Sequence, residues 1–304
     1  MIKSITITNY LNESLTIDMR RPEKTGLIIK KIEGLGPCKA NINAKELATG
    51  DGAVFNSARV NSRNIVLTLG FGFKSNIEEV RQLTYKYFPI KKDLKFRIET
   101  DNRNAEIVGY VEANTPDIFN KDEFTQISII CPDPYFYSVG ENSKNVTVFA
   151  GVEAAFDFPF ANESVNEGCL EFGMIQYSKE KVIRYDGDAE VGIVMTIHAI
   201  GDASNIVIHN TKTRETMSID STKLEQLTGS GIVKGDEITI STVKGDKYIT
   251  LLRDGMYTNI LNALTRDSDW FYLTKGDNIF AYTAEEGSTN LLFKIENRIM
   301  YEGV

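Results

Sequence analysis

Few residues in this chain have the types and spacing that chemistry requires. His198 and His209 are the only two histidines in 304 residues, so proton transfer near neutral pH has few candidates. His198 lies opposite an alternating apolar set (Val191, Ile193, Met195, Ile197, Ala199) and reads as a solvated strand residue, not a base. Asp186 and Asp188 flank Gly187 and would suit calcium, but the EF-hand spacing and its closing glutamate are missing, which favours a solvated turn. Trp270 and Tyr272 share one side of an extended segment beside Asp267 and Asp269. Such a pair could stack a sugar ring, or the lone tryptophan could plug a core.

The cysteines Cys38, Cys131 and Cys169 are odd in number, far apart and without C-x-x-C spacing. They read as small buried hydrophobes in a reducing compartment, not as a disulfide frame or zinc site. Gly34-Leu35-Gly36 and Gly70-Phe71-Gly72 lack the third glycine and the following helix of a dinucleotide site. No Walker loop, G-x-S-x-G or H-E-x-x-H occurs. No catalytic, cofactor-binding or metal-binding residue is therefore expected.

The elements that would have to position such residues come next. A hydrophobic content of 42% and a charged content of 25% belong to a globular chain, and the length allows two cores. The opening Met1-Ile2-Lys3-Ser4-Ile5-Thr6 reads as a strand, not a signal peptide, and no apolar run approaches the ~20 residues that span a bilayer. The net charge of −8 is uneven. Residues 1–138 hold 19 Lys/Arg against 17 Asp/Glu, and residues 139–304 hold 15 against 25. The near-neutral half is free to pack on other protein, and the acidic half is ill suited to nucleic acid, whose phosphates need a basic stripe.

In the first half, strands are expected at Lys3–Thr8 and Gly26–Ile32, and a long loop at Gly34–Asn61 bounded by glycine turns. Ile65, Leu67, Leu69, Phe71 and Phe73 then alternate. A helix is expected from Asn76 to Phe88, with Ser75 and Glu78 as a capping box and Ile77, Val80, Leu83, Thr84 and Tyr87 on one side. Strands Leu94–Thr100 and Glu106–Glu112 follow, so a helix lies on an antiparallel sheet, an α+β arrangement. The second half reads as a mainly β sandwich of short strands punctuated by Gly-Asp turns. It should include a hairpin over Asp236–Arg253, one short helix at Thr258–Thr265, and a last strand, the longest, carrying Leu291, Phe293, Ile295, Ile299 and Tyr301 on one face.

Between the halves lies Thr125–Tyr137, an alternating strand stopped by Pro132 and Pro134 and followed by Tyr135, Phe136 and Tyr137. The charge and the patterning both change here. Two separately folding domains are expected, 1–139 and 140–304, joined through Gly140–Lys144. The string Cys131-Pro132-Asp133-Pro134-Tyr135-Phe136 resembles the distal tail proteins of long-tailed phages and prophages of Gram-positive hosts. So do Gly109-Tyr110-Val111-Glu112, Gly276-Asp277-Asn278 and Tyr301-Glu302-Gly303-Val304, and the likeness runs in order along nearly the whole chain.

The resemblance implies a structural virion protein without catalysis, assembled in the bacterial cytoplasm and placed at the tail tip or baseplate. It implies a homo-hexameric ring made by the amino-terminal domains, with galectin-like or carbohydrate-module-like sandwiches projecting outward. The helix Asn76–Phe88 would brace the ring domain, and the loop Gly34–Asn61 would be an arm to a neighbouring subunit. Partners would be the tail-tube protein, the tail-tip hub protein and receptor-binding proteins, with no nucleic acid and no membrane. The alternative is a glycan-binding module protein without catalysis.

Overall fold

Alternation of apolar and polar residues dictates strands, and in the computed structural model strands follow it through most of the chain. The structure describes residues 1–47, 50–72, 76–117, 119, 122–140, 143–153, 174–177 and 180–304, with backbone only for 150–153 and 174–177. Phe73, Ser75 and Cys169 lie outside the described residues. The chain divides into two compact units. Unit 1 is Met1–Ser143 together with Met300–Val304, and unit 2 is Lys144–Ile299.

Unit 1 contains β1 (Ile2–Asn9), β2 (Ser14–Asp18), β3 (Leu27–Glu33), β4 (Ala40–Glu46), β5 (Ala53–Val60), β6 (Arg63–Phe71), helix α1 (Ile77–Tyr87), β7 (Asp93–Thr100), β8 (Asn104–Asp117), β9 (Phe124–Cys131) and β10 (Phe136–Ser138). Its main sheet is antiparallel in the order β2-β1-β7-β8-β9-β6-β3. The inward face carries Ile5, Ile7, Leu67, Phe96, Ile107 and Ile129, all at most 1% exposed. Each such side chain stabilises the fold by about 1.5–3 kcal/mol relative to exposure. Helix α1 covers this sheet near β1 and β6 through Val80 and Thr84, with Phe88 buried just beyond it. Asn9 fastens the β1–β2 turn: its Oδ1 accepts from the backbone N–H groups of Leu11 and Glu13 at 3.0 Å, and its Nδ2 donates to the Lys86 carbonyl at 3.3 Å.

Two expectations for unit 1 need correction. The helix is capped by Asn76, one residue later than the expected box, and the Asn76 amide donates to Glu79 at 2.8 Å. The segment expected as a loop is a β-hairpin: β4 and β5 pair from Ala40↔Val60 to Glu46↔Ala53.

Unit 2 contains β11 (Lys144–Val148), β12 (Ala150–Glu153), β13 (Met174–Tyr177), β14 (Glu180–Tyr185), β15 (Val191–Ala199), β16 (Ile206–Asn210), β17 (Glu215–Ile219), helix α2 (Ser221–Thr228), β18 (Glu237–Val243), β19 (Asp246–Arg253), β20 (Met256–Asn259), β21 (Tyr272–Leu273), β22 (Gly276–Thr283) and β23 (Leu291–Arg298). One sheet runs β11-β23-β15-β18-β19-β20 with β21 beside β15, another runs β14-β22-β16-β17, and β12 pairs with β13. Aromatic rings from the two larger sheets fill the space between them. Tyr282 of β22 stacks on Phe293 of β23 at 3.9 Å between centroids, and Phe149 meets both rings edge-on or tilted.

Three expectations for unit 2 are overturned. The helix expected at Thr258–Thr265 is absent, because β20 pairs with β19 and leaves only a 3-10 turn at Leu261–Ala263. The helix that does form, α2, has Asp220 as its N-cap, accepting from the N–H groups of Thr222 and Lys223, and left-handed Gly229 at its end. The expected long last strand breaks at Ile299, and β24 (Met300–Tyr301) leaves unit 2 and pairs with β10 in unit 1. Among the described residues of unit 2 the longest strand is β15, at 9 residues, against 8 for β23. Among the described residues, no helix is long and apolar enough to cross a membrane.

Candidate assembly site

Each residue first considered for chemistry finds a partner or an ordinary place. Asp186 pairs with Arg184 and Asp188 with Lys275, at 3.2 and 3.0 Å. Among the described residues, no group of three or more His, Cys, Asp or Glu could hold a metal ion. His198 is exposed, and His209 is half-buried with Nε2 3.4 Å from the Thr283 hydroxyl. Trp270 does not plug the core. It is half-buried with Tyr272, and the Lys247 ammonium lies 5.0 Å from the Trp270 ring and 5.4 Å from the Tyr272 ring.

The residues that the sequence singled out as motifs do come together in unit 1. Gly109 sits on the inward face of β8, where a Cβ would come within 2.8 Å of Cys131 Sγ and 2.5 Å of Ile129, so the close approach of β8 to β9 requires glycine. Burial pushes the Cys131 thiol up to about 12, which keeps it a neutral packing group. Asp133 holds the turn between the two prolines: Oδ1 accepts from the Tyr135 N–H at 3.2 Å and Oδ2 from the Tyr137 hydroxyl at 2.6 Å. In unit 2, Asn278 is fully buried and closes its own turn, accepting from the Thr274 N–H and donating to the carbonyls of Thr274 and Gly276.

The centre of the unit 1 constellation is Arg63, a residue that the sequence did not mark. It opens β6 and is 2% exposed. Nε donates to the Pro134 carbonyl at 2.6 Å, Nη2 to the Glu302 carbonyl at 2.6 Å, and Nη1 to the carbonyls of Gly36, at 2.7 Å, and Gly34. The guanidinium carbon stands 4.6 Å from the centroid of Phe136. Burial lowers the Arg63 pKa, opposed by the nearby Cys38, Cys131 and Glu302. Phe136 is the register partner of Tyr301, and Tyr301 in turn carries Arg103, whose Nη1 donates to the Gly303 carbonyl at 2.6 Å. Gly303 must be small here, since a Cβ would come within 2.9 Å of the Leu35 carbonyl.

Leading away from this centre is the β4–β5 hairpin, every described residue of which is exposed. Ile42 and Phe55 are each 63% exposed, with Val54 and Leu47 close behind. A two-stranded ribbon with apolar side chains in water is marginal alone and presents two open edges. Its apolar side chains are of the kind that gain stability when a surface covers them.

Fold and site together define a class: a two-unit β scaffold with an exposed hairpin, whose second unit is inserted ahead of the last strand of the first. Residues 186–298, all within unit 2, match the family described as siphovirus-type tail component, C-terminal domain. The fold resembles the crystal structure of the Dit protein of phage SPP1, with a TM-score of 0.62, 10% identity, and coverage of 97% of this chain and 99% of that one. That protein is described as a paradigm of the hub adsorption apparatus in phages infecting Gram-positive bacteria. A chain of the phage P2 baseplate in its calcium-activated conformation aligns with a TM-score of 0.43 and 14% identity over 97% of this chain and 98% of that one. No curated protein matches the chain significantly in sequence. Residues 186–298 thus match the C-terminal domain of siphovirus-type tail components, and the chain as a whole has a Dit-like fold.

Proposed function

We propose that the chain closes the tail tube as a six-fold ring built by unit 1, with unit 2 projecting outward. The observation that carries this is the β4–β5 hairpin, whose exposed Ile42, Val54 and Phe55 suit burial on a neighbouring subunit. Closed cyclic symmetry would cover each arm without growing a fibre. The tail-tube protein would bind one side of the ring, the tail-tip hub protein the other, and receptor-binding proteins would attach to unit 2. Assembly would take place in the bacterial cytoplasm before the particle is complete. Negative-stain microscopy of the purified protein, alone and with the tail-tip hub protein, tests the reading. Six-fold rings are expected, and a monomer under both conditions would sink the proposal.

The two cores fold separately on this reading, with the crossing near residue 139. Because Met300–Val304 belong to unit 1, a fragment of residues 1–139 is best compared with a variant in which a short linker replaces residues 145–299. Both unit 1 forms and the 145–304 fragment should fold by circular dichroism. A second reading, glycan binding by unit 2, is favoured by the half-exposed Trp270–Tyr272 platform under Lys247. Binding on a glycan array that is lost in Trp270→Ala would support it.

A further inference from the structure

Among the described residues Arg63 pairs with no carboxylate, and its contacts come from three places far apart in sequence. Gly34 and Gly36 are the root of the β4–β5 hairpin on one side, and Arg63 itself lies three residues past the hairpin's end on the other. Pro134 stands in the turn from which the chain goes on to leave unit 1, and Glu302 stands in the segment that returns from unit 2. The returning segment is also tied to the root directly, since the Val304 N–H donates to the Leu35 carbonyl at 3.1 Å. Each of these segments is irregular backbone with few ladder bonds of its own. The carbonyls of Gly34, Gly36, Pro134 and Glu302 take their donor from the arginine.

A planar guanidinium donates in several fixed directions at once, which a lysine ammonium on a flexible stem does not reproduce. Burial against Phe136 removes water as a competitor for those carbonyls. The three segments therefore share one guanidinium, and an opening of any one leaves part of that buried group unpaired and admits water to the bonds that hold the other two.

We propose that Arg63 is the positioning residue of a three-way clamp. The clamp makes the hairpin root, the outgoing turn and the returning segment open and close as one unit, so that capture of the hairpin by a partner tightens the chain's connections to unit 2. The proposal does not depend on the number of subunits in the ring. It assigns to one side chain the link between the docking arm and the inserted unit.

Hydrogen exchange followed by mass spectrometry on the full chain tests this. In Arg63→Lys, exchange should rise together in residues 34–60, 132–138 and 300–304, by about tenfold or more, while β1, β7 and α1 keep wild-type rates. A uniform rise that includes β1 and β7 would mean that Arg63 only stabilises unit 1, and would overturn the clamp. So would a rise confined to one of the three segments. If Arg63→Lys does not fold, wild-type exchange in increasing denaturant decides instead. The three segments should then share one opening free energy and one denaturant dependence, and separate values would overturn the proposal. Gly303→Ala, which crowds the returning segment against Leu35 and Gly36, should raise exchange at the hairpin root as well as at 300–304. A response at 300–304 alone would contradict the link.

Discussion

Two hairpins of nearly equal length show how differently the same local geometry is used. The β18–β19 hairpin turns at Lys244-Gly245, and its Ile238, Ile240, Ile249 and Leu251 are all buried, with β15 paired alongside. The β4–β5 hairpin has a ladder of similar length with one register shift between Asn43 and Ala44, yet Ile42, Val54 and Phe55 stand in water. Both pair along their length, so what chiefly separates them is where the side chains go. In the first, stability comes from the sheet around it, and in the second the apolar side chains contribute little while they stay exposed. On the proposed assembly, the first hairpin would hold the subunit and the second would meet a neighbour.

Breaking the inner hairpin's support should have the largest effect. Asp236, 1% exposed and just ahead of β18, accepts from Arg253 Nε at 2.8 Å and Nη2 at 2.6 Å, and this pairing raises the arginine's pKa. Asp236→Ala should cost about 3–5 kcal/mol in denaturant unfolding of unit 2, because it removes the buried acceptor of both Arg253 and the Val233 N–H and leaves the guanidinium only Ser230 and Gly231. Ile240→Ala should cost about 2–5 kcal/mol by the same measurement, through lost burial and the cavity left behind. Phe55→Ser, on the outer hairpin, should change monomer stability by no more than about 0.5 kcal/mol. Similar losses for Ile240→Ala and Phe55→Ser would erase the distinction between the hairpins.

A smaller effect separates the two described cysteines. Cys131 keeps its proton in the folded state to about 12, whereas an unfolded thiol releases it near ~8.5. Its contribution to stability is therefore complete below the unfolded value and is lost as pH rises through the window up to about 12. Cys131→Ala should flatten part of the alkaline decline in melting temperature. Iodoacetamide at pH 8.5 should modify half-exposed Cys38 well before Cys131, and equal rates would show that unit 1 opens at this strand. The smallest expected effect is none: melts with and without chelator should superimpose, since Asp186 and Asp188 already pair with Arg184 and Lys275.

What the sequence made legible follows from the strength of its patterns. Strands with β-branched or aromatic residues on alternate positions, such as Leu94–Thr100 and Val191–Ala199, were readable because the apolar face is both regular and bulky. The outer hairpin alternates too, Ala40, Ile42 and Ala44 against Asn41, Asn43 and Lys45, but alanine and asparagine are poor strand formers and the glycines nearby spoke for a loop. Helix α2 buries only Leu224, so it left no periodic stripe, and its signals were the single cap residues Asp220 and Gly229. Leu261 to Leu264 offered a helical spacing that strand pairing of Met256–Asn259 overrode. Arg63 was invisible because its partners are backbone carbonyls from positions up to 239 residues away, and a carbonyl has no residue type to read.

The mass of the particle in solution tests the central claim most directly. Native mass spectrometry, on the protein alone and with the tail-tip hub protein, should find an assembly of six chains of 34.1 kDa. In the doubly substituted Ile42→Asp, Phe55→Asp chain that assembly should fall to single chains, with circular dichroism unchanged. A wild-type protein that stays monomeric with and without the hub protein, or a six-chain particle that survives both aspartates, would contradict the account.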